Sequence, residues 1–367
     1  MEQKLSYYFE GVEDPRVVGR CDHLLSDILI ISVCTYVTGG TDYQDMYLFG
    51  KNRGEDLKGI ILELPNGAPS ADTYERVFKC LDAESLRTCL VTYNKEILNT
   101  LAEKQIVLDG KKLKGVSPTS RGNAGCYILN AWVSENRICV CQEKVEDKSN
   151  EITAIPNVLD SLDIEDSVVT IDAIGTQTAI ARQIRDKNGH YLLSVKGNQK
   201  NLLDDIQCAF KTRSGHDSIE ETERGHGRID TRACSILPAS EFLMQENMQA
   251  WKDVSTLVKI DSCREIKGVR KYETRYYISD EKITKAAYYL ALSRGHWGIE
   301  NQLHWHLDVT FKEDSCRARS GNAPENLSTL RKFALQIIAG ANDKLSLKKR
   351  QYKAALEPEY LKNLMKF

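Results

Sequence analysis

Residues 166–199 read DSVVTIDAIGTQTAIARQIRDKNGHYLLSVKGNQ, and this stretch decides the fold. Positions 168–171 are continuously apolar, as in a parallel strand covered on both faces. An acid, Asp172, stands at the strand's tip, followed by a small-residue turn, a helix running to Asp186 and a second strand over 191–195. The pattern is one βαβ unit, and ligands of such sheets collect beyond the carboxyl ends of the strands. Asp172 and Lys196 both fall at that end. An acid at a strand tip also serves as an ordinary helix cap or turn residue, so Asp172 gains meaning only from residues elsewhere.

Upstream, residues 106–108 (IVL) form a strand that is expected to end in Asp109-Gly110, a pair that also suits a hairpin turn. Strands over 126–133 and 137–145 follow, joined by a turn at 134–136. A helix over 151–162, kinked or restarted at Pro156, leads into the central unit. Strand, strand, strand, helix, strand, helix, strand implies a mixed sheet with one antiparallel meander and parallel crossovers. Residues 1 to about 100 read as helical. An apolar helix over 22–37 stops at Gly39-Gly40, and Ser70 or Asp72 caps a helix carrying Val77, Phe78 and Leu81. From about 204 to 280 turn-rich polar segments at 213–215 and 224–228 separate short alternating runs, which reads as an inserted β-rich module. Helix resumes from Thr284.

The bounds are those of a globular protein. The 367 residues suffice for roughly two domains, or one with an insertion. The longest apolar run, 28–37, is too short to span a bilayer. The beginning, MEQKLSYYFE, has no basic segment leading into an apolar one, so the cytoplasm is the expected compartment. Eleven scattered cysteines with no Cys-x2-Cys pair read as reduced small hydrophobes. A net charge of −2 excludes a wholesale nucleic-acid coat, so any polyanion contact must be local. The local clusters are Lys111, Lys112 and Lys114, then Arg317 and Arg319, then Lys344, Lys348, Lys349, Arg350 and Lys353.

The segment SRGHWGIENQLHWHLDVTFKED, residues 293–314, supplies more chemistry. As one helix it would align His296, Glu300, His304 and Asp308 at successive i+4 positions beside an apolar stripe of Ile299, Leu303 and Leu307. Three readings suit that stripe: a satisfied polar interface, a zinc site built from the histidines, or a carboxylate that joins Asp109 and Asp172. The zinc reading lacks His-Glu-x2-His spacing and any cysteine partner. The carboxylate reading suits hard divalent cations, which take oxygen ligands and in pairs assist an in-line phosphoryl displacement.

The segments VLDGK (107–111), EDKSNEITAIP (146–156), TIDAIGTQ (170–177), VKGNQ (195–199) and HWGIENQLHWHLDVTFKED (296–314) resemble the DDE transposases of bacterial insertion sequences, specifically the H-repeat-associated group. DHLLSDILIISVC and NGAPSADTYERVF resemble that group's associated helical domain. The resemblance covers nearly the whole chain. It implies an α/β fold: a ribonuclease-H-like mixed sheet with helices, a β-rich insertion and an N-terminal helical domain. The expected bounds are 1–100 for the helical domain, 101–343 for the catalytic domain with its insertion at about 212–280, and 344–367 for a basic C-terminal tail.

By match of motif, Asp109, Asp172 and Glu300 would be the catalytic and metal-binding triad, with Asp308 a rival for the third place. Mg²⁺, two ions, would be the cofactor, with Mn²⁺ a substitute. Lys196 and Asn198 would lie near the metals or the DNA backbone, Lys111 and Lys112 would contact phosphate, and Trp297 or Trp305 could stack on a displaced base. Related transposases carry Tyr-x2-Arg-x3-Glu-x6-Lys around the last acid. This chain has Ser293, His296 and Leu307 there, so His296 is the candidate to replace the arginine in holding DNA. The implied partners are double-stranded DNA, as element ends and target, and further copies of the chain in a homodimer or higher oligomer, with no membrane. A catalytically silent DNA-binding descendant and a nuclease without strand transfer are the alternatives. A glycosidase using paired carboxylates would need no metal.

Overall fold

The computed structural model describes residues 5–365 except 18, 99–100, 117–125, 146–150, 214, 226 and 283–284. The start of the 146–156 motif, one residue in each of the turns expected at 213–215 and 224–228, and Thr284 therefore lie outside the described residues. The chain opens with helices α1 (Leu5–Phe9), α2 (Leu25–Val37), α3 (Tyr43–Leu57), α4 (Ala71–Cys80) and α5 (Ala83–Leu98). Helix α2 is buried nearly all round, as an apolar helix without a polar face must be. Its Ser32 and Thr35 hydroxyls donate back to the carbonyls of Ile28 and Ile31, each at 2.7 Å. It stops where Gly39 adopts φ 92°, a left-handed conformation that glycine takes without steric cost. Ser70, not Asp72, caps α4 by accepting from Thr73 N–H.

Strands β1 (Gln105–Lys112), β2 (Tyr127–Val133) and β3 (Ile138–Val145) precede α6 (Glu151–Asp160), β4 (Val168–Ile171), α7 (Thr178–Asp186), β5 (His190–Val195) and α8 (Lys200–Thr212). Next come β6 (Asp217–Gly225), β7 (Arg228–Pro238), the short helices α9 (Ala239–Phe242) and α10 (Gln245–Ala250), β8 (Thr256–Ile266) and β9 (Val269–Ser279). Helices α11 (Ala286–His296), α12 (Ala323–Ala339), α13 (Leu347–Leu356) and α14 (Pro358–Met365) complete the chain.

Among the described residues, nine strands form one mixed sheet in the order β3-β2-β1-β4-β5-β9-β8-β7-β6. β1, β4 and β5 are mutually parallel, while β2 and β3 form the expected antiparallel meander. The β-rich segment is not a separate module, because β9 pairs antiparallel with β5 from Leu192↔Ser279 to Val195↔Tyr276 and extends the same sheet. It also begins later than expected, since α8 occupies residues up to Thr212. Beyond the sheet its strands project outward, and Val269 to Glu273 are exposed throughout.

Side chains alternate across β1. Ile106 and Leu108 pack with Ala154 and Ile155 of α6 and with α7 and α8 on one face. Val107 packs on the other face with Leu303, Leu307, α12 and α2. Two sequence readings change here. β1 does not end at Asp109-Gly110 but runs through both to Lys112, its pairing with β2 continuing as Gly110↔Leu129 and Lys112↔Tyr127. The 344–367 stretch is not a loose basic tail: Ala354, Leu361 and Leu364 enter the core, and Arg350 caps α12 through Ile338 O and Ala339 O. Among the described residues, no helix is long and apolar enough to cross a membrane.

Candidate active site

Residues 297–310 continue α11 in a different hydrogen-bond pattern, with π-helical turns at Glu300–His304 and His306–Thr310. Trp305 N–H bonds Glu300 C=O and Phe311 N–H bonds His306 C=O, both five residues back. In a regular α-helix each i+4 step drifts by about 40°, so four such residues would spiral off one face. The wider π turns drift the other way, and π segments recur at functional sites. As a result His296, Glu300, His304 and Asp308 line one cleft together with Asp109, Asp172, Lys196 and Arg275. The cleft lies at the carboxyl ends of β1 and β4, where the βαβ reading puts it.

Asp109 is the electrostatic centre. Burial, then the charges of Asp172, Glu151 and Glu300 in that order, push its carboxyl up to about 7. So the other two acids expected from the sequence both act on Asp109, as does Glu151. The sequence reading missed Glu151, taking it only as the start of a helix. The signal available was its place in the quoted 146–156 motif, one residue into a helix that leads straight to β4.

Asp172 also has the role of an ordinary turn acid, since its Oδ1 accepts from Ile174 N–H at 3.0 Å. That turn is braced by the VKGNQ segment: Asn198 Nδ2 donates to Ala173 O at 2.6 Å and Gln199 Nε2 to Thr176 O at 2.9 Å. Asn198 thus holds the loop that carries Asp172, while Lys196 is exposed in the cleft wall. Glu300 is exposed in the same wall.

His296 and His304 are partly buried and neutral. Burial drives His296 down to about 4 despite the pull of Asp172, and drives His304 down to about 3 with help from Lys111 and Lys332. The Thr170 hydroxyl accepts from Gln105 Nε2 at 3.1 Å and lies 3.0 Å from His296 Nδ1. Asn130 Nδ2 lies 3.3 Å from His304 Nε2, so the His304 proton is on Nδ1, which faces Asp109 Oδ2 at 3.6 Å. Neither ring gathers with the others around a common point, and His306 Nδ1 pairs instead with Thr310 Oγ1.

Lys111 does not stand as a free cation on the surface. Its ammonium is buried, 2.6 Å from Asp308 Oδ1, 3.0 Å from Glu313 Oε2 and 3.5 Å from Asp314 Oδ1. Asp308 is thus engaged by Lys111, whereas the charge of Glu300 acts on Asp109. Lys112 is exposed, its ammonium 5.5 Å from the Tyr127 ring centre. The Arg275 guanidinium stacks 4.2 Å over the exposed Trp297 ring, and Trp305 is half exposed, so neither tryptophan is core.

An acid within β1, a second just past the tip of its parallel neighbour β4 and a third from a helix across the cleft follow the order of motifs in the sequence. The sequence model of the transposase DDE domain matches residues 75–337, and that of the DDE_Tnp_1-associated segment matches residues 6–94. The chain belongs to the DDE transposase family, in its H-repeat-associated group. The "H repeat-associated putative transposase YhhI" of Escherichia coli (strain K12) is 33% identical over 99% of this chain and 98% of its own length. The "Putative transposase YncI" of Escherichia coli O157:H7 is 34% identical over 99% of this chain and 94% of its own. A solved piggyBac transposase synaptic complex with hairpin DNA covers 92% of this chain and 71% of that chain at 12% identity and a TM-score of 0.44, a likeness too loose to bear on the site.

DDE transposases use divalent cations, and the carboxylates that crowd Asp109 are oxygen donors of the kind hard cations take. Among the described residues no three His, Cys, Asp or Glu side chains are drawn together tightly enough to hold an ion as they stand.

Proposed function

We propose that this chain is a metal-dependent DNA transposase that cleaves phosphodiester bonds at the ends of an insertion sequence and joins the freed 3′-hydroxyl to target DNA. The observation that carries this reading is that Asp109, Asp172 and Glu300 line one cleft at the carboxyl ends of β1 and β4, where the charges of the other two raise the Asp109 carboxyl. The strand order β3-β2-β1-β4-β5, with acids on β1 and just past β4, supports a ribonuclease-H-like core. Asp109 and Asp172 would hold the cations, with Glu300 closing the site from the helix. Mg²⁺, or Mn²⁺ in its place, would when bound assist the attacking oxygen and stabilise the leaving one.

The chain's own residues do the rest. Asn198 and Gln199 fix the loop of Asp172. Neutral His304, oriented by Asn130, presents an N–H toward Asp109 and adds no charge to the site. Neutral His296 lines the cleft as a hydrogen-bonding ring for the DNA backbone. Exposed Lys196 and Lys112 meet the backbone as charges, and the Arg275–Trp297 stack offers a flat face to an unpaired base. Double-stranded DNA is the substrate, and two ends must be brought together by two or more copies of the chain.

The test is cleavage of a labelled duplex carrying the flanking element end, with Mg²⁺, with EDTA, and with Asp172→Asn and Glu300→Gln. Metal-dependent nicking at the boundary, lost in both variants while binding persists, is the expected result. Binding without cleavage under every metal condition would favour the silent descendant, and cleavage without joining a plain nuclease.

A further inference from the structure

We propose that Arg275 and Lys196 form a clamp for a backbone phosphate next to the one that is cut, so that the projecting arm supplies part of the DNA site. The inference rests on the functional reading above and adds to it a contact from β9. Register brings the two side chains together. β5 and β9 pair antiparallel, with Ser194 opposite Tyr277 and Val195 opposite Tyr276. Lys196 keeps an extended backbone, φ −133° and ψ −170°, so the next step of the register sets it opposite Arg275. Opposed residues of a ladder, and residues two apart on a strand, share a face. In agreement, Ser194, Lys196, Arg275 and Tyr277 all line the cleft.

Their charges converge as well. His296 is driven down first by burial and then, against the pull of Asp172, by Arg275 and Lys196. Like charges facing each other across a ladder are unfavourable, and an anion between them turns that repulsion into binding. Ile171 of β4 lies opposite Leu193 of β5, which puts Asp172 opposite Ser194. Across the sheet Lys196 is therefore one strand from Asp172 and Arg275 two, about 5 and 10 Å, and both stand two residues further along. That offset suits a neighbouring phosphate. Arg275 is prepared for it: its guanidinium lies flat, 4.2 Å from the Trp297 ring centre, which leaves its edge for acceptors. The edge holds Glu273 in a fork, Nε to Oε1 at 2.7 Å and Nη2 to Oε2 at 2.8 Å. A phosphate presents the same pair of oxygens to a guanidinium as a carboxylate does. Glu273 is exposed, and an exposed ion pair is worth little, so its carboxylate stands in for the phosphate and yields to it.

The experiment measures binding of the full chain to a fluorescent duplex carrying the element end, by anisotropy in EDTA over a series of salt concentrations. The variants are Arg275→Gln, Arg275→Lys, Lys196→Gln, Glu273→Gln and, as a control for bulk charge, Glu265→Gln, whose carboxylate pairs with Arg270 further out on the arm. Arg275→Gln is expected to weaken binding about tenfold and to lower the salt slope by about 1. A purely structural role beside Trp297 would leave the slope unchanged. Arg275→Lys is expected to keep the slope but recover only part of the affinity, because the fork is lost. Glu273→Gln is expected to tighten binding by up to about fivefold, the worth of an exposed ion pair, and Glu265→Gln to tighten it less. If Arg275→Gln does not fold, Glu273→Gln against Glu265→Gln decides. Wild-type affinity and slope in Arg275→Gln, or no more gain in Glu273→Gln than in Glu265→Gln, overturns this inference, and with Lys196→Gln still weakened the transposase reading stands. Absence of wild-type binding to the duplex overturns both.

Discussion

Replacing Lys111 by methionine should cost the protein about 3 kcal/mol at pH 7. Lys111 is the hub of a buried charge cluster, within 3.0 Å of Glu313 Oε2 and 2.6 Å of Asp308 Oδ1. Glu313 is 2% exposed, and burial alone would raise its pKa. Lys111, Lys332 and Arg331 together reverse that and hold it at about 2. Removing one partner of a buried pair typically costs 3–5 kcal/mol, because the other charge is left uncompensated. Lys332 and Arg331 remain in this variant, which places the estimate at the lower end. The sign with pH follows from linkage. In the wild type the Glu313 contribution is present above about 4.5, its unfolded value, and is lost as pH falls toward 2. In Lys111→Met the folded-state pKa rises, so the variant's deficit is largest near neutrality and shrinks as acid protonates Glu313. Urea unfolding at pH 7 and pH 3 measures both. Because the pair is buried, 0.5 M salt should change little. A deficit below about 1 kcal/mol at pH 7, or one that widens in acid, would refute the reasoning.

Asp109→Asn should stabilise the metal-free protein at pH 8. Folding raises the carboxyl from 3.8 to about 7, so wild-type stability falls as pH climbs through that window, by up to about 4 kcal/mol at about 1.4 kcal/mol per unit. Melting in EDTA at pH 5 and 8 checks it, and a variant less stable at both would contradict the crowding of charge. Gly295→Ala should destabilise by about 1–3 kcal/mol. Its Cβ would lie 1.9 Å from Gln105 Oε1, displacing the amide that donates to Thr170 and to Leu292 O. Chemical denaturation measures the loss, and a neutral result would mean that Gln105 moves freely. Ser70→Ala should cost about 1 kcal/mol through loss of the α4 cap, whereas Asp72→Ala, which removes no cap, should cost less under the same assay.

The central βαβ unit was legible because its first strand is apolar but for Thr170 and its acid stands where such sheets place ligands. Asp109 was legible only in part. Glycine after an acid signals a turn, and nothing local distinguishes a turn glycine from one that vacates space for a carboxylate 41 positions later in the chain, at Glu151. The i+4 stripe from His296 to Asp308 was read correctly as one face, but the π turns that keep it together depend on tertiary packing of Leu303 and Leu307 rather than on local propensity. Charge alone could not separate Lys111 from Lys112. Alternation along β1 sends the first inward to Glu313 and leaves the second in solvent. The C-terminal basic cluster reads as a solvated tail by charge, yet Ala354, Leu361 and Leu364 between the charges anchor it.

The single nine-stranded sheet fixes the order in which the site can come into being. The strands ahead of Asp109 and Asp172 and their parallel neighbour are complete once Val195 has been made, but Glu300 follows β9, and β9 takes its place only by pairing with β5 after the whole projecting arm has been synthesised. A nascent chain still on the ribosome, or a product truncated anywhere in the arm, therefore holds two of the acids without the third. The layout of the chain thus keeps the third of the proposed acids out of reach until the arm has folded into the sheet.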